Sequence, residues 1–374
     1  MKAGFGVASI TPEPPVWLAG FGDRSEPAQE IKEDLEARAL YLNDGDNELC
    51  LVVCDLLALS RDVNQPVREA IASELGVESA AVIVASTHTH HGPSGIAGSE
   101  RIGWPMPEGF TETLRTGCVA AAAAARNGSR DAILHYARAP LPEGFAFNRR
   151  ALPFTDPWFA VLDFRDEDRA RIGTVANLSI HPVLLGPEWL SVATDWVGTF
   201  RTSMEELAGG TTIELTGALG DINPVPFDGA VHDTYAPWAS WEQTVGYGKR
   251  LAAVVAGTLA GAEPFEGVLR LLKHETIQAP VGGTGLAVLW GEPAMDVDLT
   301  EWSIGDVRLV SIPGEAFHAL GKEISAARND RVLLAGIAPW HGYLPHPWGE
   351  GYEEGVSYGE AFAGSVRDAL GKAP

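Results

Sequence analysis

An apolar run, Ala80-Ala81-Val82-Ile83-Val84-Ala85, passes directly into Ser86-Thr87-His88-Thr89-His90-His91-Gly92-Pro93, which packs three of the chain's ten histidines into four positions. The first half predicts a buried strand. A strand that exits into His-x-His sets two imidazoles on one side of the chain, at the sheet edge where open α/β folds place their ligands. His91 then points the other way. Neutral imidazole is the commonest protein ligand of zinc, so the run predicts a metal site at a strand's carboxyl end. The plainer explanation, histidines hydrogen-bonded within a loop, leaves the repetition of this pattern elsewhere unexplained.

That repetition comes at His181, which closes the apolar strand pattern Val175-Ala176-Asn177-Leu178-Ser179-Ile180. Between and beyond the two, strand and helix patterns alternate. Strands are predicted over 49–59, 80–85, 132–137, 158–164, 172–180, 211–216, 268–277, 306–312 and 331–337. Helices are predicted over 63–75, 110–126, 197–207, 241–259 and 316–327. Several strands follow one another through short turns, which predicts an α/β fold of mixed β-sheets flanked by helices. The Pro- and Gly-rich stretches, among them 92–109, 223–229 and 339–355, carry too many Trp, His and Tyr to be linkers and read as ordered loops around a site. A single large domain over residues 1–374 is the expectation.

Composition narrows the function. The net charge is −23, which opposes binding to nucleic acid or anionic membranes. No apolar run is long enough to insert into a bilayer, and Met1–Phe5 has no leader-like pattern. Three cysteines in no zinc-binding spacing suit reduced thiols and a cytoplasmic location.

Further candidates sit at strand and helix boundaries. Asp195 precedes a helix and reads first as an N-cap. Asp221 lies in the turn Gly220-Asp221-Ile222-Asn223-Pro224, where glycine admits close backbone approach and turn chemistry alone also accounts for the residues. Glu315, after Pro313-Gly314, opens a predicted helix; it suits the helix dipole and equally a zinc ligand, with His318 on the same helical face. The aromatic segment Pro339–Trp348 reads as a pocket wall.

Taken in order, Gly4–Pro12, Ser86-Thr-His-Thr-His-x-Gly-Pro93, Asn148-Arg149, His181, Gly220-Asp221, Pro313-Gly314-Glu315 and the loop bearing Tyr343 and Tyr352 resemble the catalytic domain of the neutral (non-lysosomal) ceramidase family. The resemblance implies that fold and a Zn2+-dependent amidase that cleaves an N-acyl bond. It implies His88, His181, Glu315 and Tyr343 as metal ligands, and His90, Arg149 and Tyr352 as catalytic residues at the reacting amide. The family's Gly-Asp-Val-Ser-Pro-Asn carries a serine regarded as a nucleophile; its place here is taken by Asn223, which favours attack by metal-activated water. The resemblance is to the catalytic domain only, and a ceramidase-like hydrolase of small-molecule amides or esters that is not ceramide-specific is the expectation. Two alternatives remain at this point. An amidohydrolase-type barrel acting as lactonase or cyclic amidase also begins with His-x-His, but requires regular eightfold strand–helix alternation. A non-catalytic metal- or ligand-binding relative would fit the serine-to-asparagine change.

Overall fold

The computed structural model describes residues 1–374 except 151, 153, 156, 226–237, 291 and 373–374, with side chains left out at 288–290. Of the predicted loop 223–229, the part from 226 onward lies outside the described residues.

Three mixed sheets share one core. The first orders its strands as Val82–Ser86, Glu48–Cys54, Glu36–Asn43, Lys2–Ser9 and Arg130–Asp131. The second orders them as Thr211–Thr216, Arg171–Leu178, Trp158–Arg165, Ile133–Pro140 and Glu263–Phe265. The third runs Leu269–Pro280, Ala294–Ile304, Val307–Ser311 and Val332–Ala335. One face of each meets in a common cluster that includes Leu40, Leu51, Leu162, Ile213, Trp302 and Leu309. The opposite faces are covered by helices, as continuous apolar strands buried on both faces require. Arg61–Leu75 and Phe110–Asn127 cover the first sheet, Trp196–Ala208 and Trp241–Thr258 the second, and His318–Ala326 with Glu360–Gly371 the third.

Two glycines explain a strand that the sequence pattern does not announce. Lys2–Ser9 contains Gly4 and Gly6, which read as breakers, yet each lies under the helix Phe110–Asn127 so closely that a Cβ would strike the carbonyl oxygens of Ala125 and Ala121. Glycine here serves helix-on-sheet approach rather than turn formation.

In each sheet one pair of neighbouring strands is parallel: Glu48–Cys54 with Val82–Ser86, Arg171–Leu178 with Thr211–Thr216, and Val307–Ser311 with Val332–Ala335. Parallel strands end at the same edge. The three carboxyl edges are where the histidines and Glu315 emerge.

A buried ion pair braces the first of these edges. Asp55, one residue past Glu48–Cys54, receives Arg201 in a bidentate pair at 2.8 and 2.7 Å, and also accepts the Glu36 amide at 2.9 Å. All three cysteines are free and buried, with Cys54 and Cys118 sulfurs 3.4 Å apart. Burial pushes the Cys50 thiol up to about 12, so it is inert at neutral pH.

Truncating one member of a fully buried ion pair leaves the other charge without compensation. Arg201→Ala is therefore expected to lower stability by about 3–5 kcal/mol, measured by urea unfolding at neutral pH; a loss within ~0.5 kcal/mol would show that the pair does not brace this edge.

Candidate metal centre

The strand Val82–Ser86 ends two residues before His88, and His88 itself adopts a left-handed backbone with φ 69°. His88 and His90 therefore do not share a side through strand alternation, as the sequence pattern suggests. A turn brings them together, with ring centroids 5.0 Å apart. Such a conformation in a non-glycine residue is strained and is held by its surroundings. The His88 amide donates to Leu56 O at 2.9 Å. His91 does point away, with Nε2 3.3 Å from Gly186 O.

His181 arrives from the second sheet, its ring 5.1 Å from that of His88. Ligating nitrogens of His88, His90 and His181 all lie within 4.8 Å of one another, and all three residues are buried. Glu315 comes from the third sheet. It does not open a helix: Glu315–Ala316 is a short strand parallel to Tyr343–Leu344, with Glu315 level with Tyr343. The helix begins only at His318. The predicted i, i+3 pairing of Glu315 with His318 accordingly fails, and His318 Nε2 lies 3.2 Å from Thr155 O instead. Gly314, at φ 150°, permits this detour because a Cβ there would strike Gly342 O.

The geometry among these groups is specific. His88 Nδ1 lies 2.7 Å from Leu57 O, and His181 Nδ1 lies 3.0 Å from Ile222 O. A carbonyl only accepts, so in the neutral form each ring carries its proton on Nδ1 and presents a lone pair at Nε2. Both Nε2 atoms face one oxygen: Glu315 Oε2 is 3.2 Å from His88 Nε2 and 3.5 Å from His181 Nε2. Glu315 Oε1 is already committed, accepting Trp340 Nε1–H at 2.8 Å. Among the described residues, His181 Nε2, Glu315 Oε2 and both ring nitrogens of His90 are buried without a hydrogen-bond partner. Burial pushes His181 down to about 4 and, together with the facing His88 and His181 rings, His90 well below its ordinary value. Neutral imidazoles and a carboxylate with converging, unused lone pairs form the donor set of a zinc-type site.

Each of these three ligand candidates is held by the neighbouring parallel strand. His88 follows Val82–Ser86, and its Nδ1 is held by Leu57, just past Glu48–Cys54. His181 follows Arg171–Leu178, and its Nδ1 is held by Ile222, past Thr211–Thr216. Glu315 follows Val307–Ser311, and its Oε1 is held by Trp340, past Val332–Ala335. Outer partners of this kind fix tautomer and orientation.

The remaining candidates divide into two groups. Arg149 reaches the centre: its Nη2 donates to Gly220 O at 2.7 Å and to the Tyr343 hydroxyl at 3.2 Å. Burial opposes its charge, but Tyr343 and Glu353 hold the guanidinium firmly protonated. Tyr343 is buried, which pushes its hydroxyl well above the ordinary value. Tyr352 sets its ring edge-on to Tyr343 at 5.9 Å and is 64% exposed. The two aspartates are structural. Asp195 caps the helix Trp196–Ala208 through the Trp196 amide at 2.8 Å and binds the amides of Leu184 and Leu185. Asp221 binds the His318 amide at 2.7 Å and Asn148 Nδ2 at 2.5 Å. The aromatic segment also splits: Trp340 props Glu315, whereas Trp348 lines a separate cavity of about 240 Å³ with His346, Glu360 and Arg367. Trp340 as a carboxylate donor and Gly20 as the floor under His90, where a Cβ would strike the ring, have no signature in the sequence. Only the packing reveals them.

No family model matches the chain, and no curated protein matches it. Solved structures do. The neutral ceramidase from Pseudomonas aeruginosa is similar with a TM-score of 0.81 at 18% identity, over 99% of this chain and 73% of that one. A ceramidase complexed with C2 is similar with a TM-score of 0.79 at 17% identity, over 99% of this chain and 74% of that one. At such identities the likeness establishes the fold.

Removing an outer partner of a metal ligand typically costs about 10–100-fold in affinity. Trp340→Phe is expected to weaken zinc binding by that factor, read by competition with a chromogenic chelator. Unchanged affinity would show that the indole does not orient Glu315.

Proposed function

We propose, on the neutral-ceramidase fold that this chain shares, that it is a metal-dependent hydrolase of N-acyl amide or ester bonds in small molecules. The observation that carries the proposal is the convergence of His88 Nε2, His181 Nε2 and Glu315 Oε2 without hydrogen bonds between them, next to the buried cation Arg149. We assign His88, His181 and Glu315 to hold Zn2+, with Tyr343 as the fourth ligand from the strand beside Glu315. A bound divalent ion supplies Lewis acidity toward a carbonyl and acidifies water.

The chain's own groups supply the rest. Arg149 keeps its proton throughout and offers fixed N–H donors to the oxygen that gains charge as water adds to the carbonyl carbon. His90 is neutral with both nitrogens uncommitted, so it can take the water's proton and return it to the leaving nitrogen or oxygen as the acyl bond breaks. Glu315 is less suited to that shuttle, because Trp340 occupies its other oxygen. Asn223 carries no nucleophilic oxygen, and it sits beside Ile222, whose carbonyl holds His181. Tyr352, exposed and edge-on to Tyr343, fits contact with the substrate's far side.

A second assignment exchanges Tyr343 for His90 as a ligand. It is favoured by the grouping of the His90 nitrogen with those of His88 and His181 within 4.8 Å. Of the earlier alternatives, the amidohydrolase barrel is excluded by the three mixed sheets. Among the described residues no helix is long and apolar enough to cross a membrane.

His88→Ala and His181→Ala are expected to lose stoichiometric zinc and turnover of acyl 4-nitroanilides and 4-nitrophenyl esters. Arg149→Ala is expected to keep zinc and lose roughly 10²-fold in kcat. Histidine variants with full metal content and full turnover would refute the assignment.

A further inference from the structure

Arg149 is a long, flexible side chain, and a donor aimed at developing charge must be held before the reaction begins. Its backbone is held by Asp221, whose carbonyl oxygen accepts the Arg149 amide at 2.9 Å. Its guanidinium is held from the side by one carboxylate. Glu353 Oε1 accepts Arg149 Nε at 2.9 Å and lies 2.8 Å from Nη2. The other oxygen, Oε2, accepts Arg150 Nη1 at 3.1 Å. The pair is largely shielded from solvent: Arg149 is partly buried and Glu353 buried, with side-chain exposures of 14% and 6%. These contacts use Nε and Nη2, and leave Nη1 as the edge that none of them occupies.

Glu353 belongs to the short helix Tyr352–Gly355, directly after Tyr352. That turn is itself tied to the centre, because the Tyr343 amide donates to Val356 O at 3.2 Å. The neighbouring Glu354 takes Arg150 Nη1 at 2.8 and 2.6 Å. Two consecutive arginines and two consecutive glutamates thus clamp the segment that carries the tyrosines against the Asn148-Arg149 segment. A surface ion pair would contribute little. This one is largely shielded from water, and Arg149 also bonds to the hydroxyl of Tyr343.

We propose that Glu353 is a positioning residue. Its carboxylate sets the plane of the Arg149 guanidinium beside Tyr343, and the same contact anchors the turn Tyr352–Gly355 that carries it. This rests on the hydrolase assignment above, in which Arg149 meets the reacting carbonyl. Among the described residues the side-chain partners of Glu353 are Arg149 and Arg150 rather than the assigned ligands, and its role in the reaction runs through Arg149.

The test uses the zinc-loaded full chain with 4-nitrophenyl acetate and 4-nitroacetanilide as probes. It compares Glu353→Gln, Glu353→Asp, Arg149→Ala and the double variant Arg149→Ala with Glu353→Gln. Zinc content and amide hydrogen exchange are measured alongside. Glu353→Gln is expected to keep full zinc and to lower kcat more than tenfold with KM changed less than twofold. Glu353→Asp is expected to recover part of that loss. The double variant is expected to be no slower than Arg149→Ala alone, because a residue acting through Arg149 has nothing further to lose. Exchange is expected to rise at residues 148–150 and 352–356 and to stay unchanged in Val82–Ser86. The proposal is overturned if Glu353→Gln matches wild-type kcat, if the two losses multiply in the double variant, or if exchange rises evenly through the core. Absence of turnover by the zinc-loaded wild type overturns the hydrolase assignment and this role with it, an outcome distinct from an active wild type with an unaffected variant.

Discussion

Three lone pairs aimed at one point are the constraint around which this molecule is arranged. His88 and His181 each spend their ring proton on a backbone carbonyl, so the nitrogens they turn toward Glu315 have none to give. Glu315 in turn spends one oxygen on Trp340 and presents the other, ionised, to both rings. Left to themselves, such atoms repel, and in a buried setting the repulsion is poorly screened. Only a positive charge between them turns the arrangement from a cost into an attraction. A divalent cation fits that requirement and the donor chemistry together.

The scaffold meets the constraint by repeating one device three times. Each sheet contributes a parallel pair, whose two carboxyl ends emerge side by side. One end carries a ligand candidate, and its neighbour carries the group that holds that ligand's second atom. Because the sheets share a core, the three edges are brought to one place by the packing of their inner faces. The Arg201–Asp55 pair stiffens the edge that presents His88. Placing the ligand candidates on rigid strand exits, and their supports on the adjacent exits, keeps the cluster pre-organised.

Much of this is written locally in the chain. The apolar runs ending in His88 and His181 announce both strands and their polar exits, because burial on both faces leaves a continuous apolar signature. What the chain does not announce depends on contacts distant in sequence. Lys2–Ser9 is disguised by glycines whose purpose is an overlying helix. Ala294–Ile304 is disguised by acidic and hydroxyl side chains that pair across the sheet, as Asp298 does with Thr276 at 2.7 Å. Glu315 looks like the first turn of a helix, and becomes a strand only because Tyr343–Leu344 is available to pair with it. The close approach of His88 to His90 follows from a left-handed turn rather than from strand alternation. Asp195 and Asp221 are spent on backbone amides and the Asn148 side chain, the capping and turn uses that their local pattern announces.

The most direct test of the central claim is anomalous X-ray scattering at the zinc edge from crystals grown with zinc. A peak roughly 2.0–2.2 Å from His88 Nε2, His181 Nε2 and Glu315 Oε2 together is the expected result. Crystals of folded protein with no peak among these three atoms, or with zinc bound only elsewhere, would contradict it.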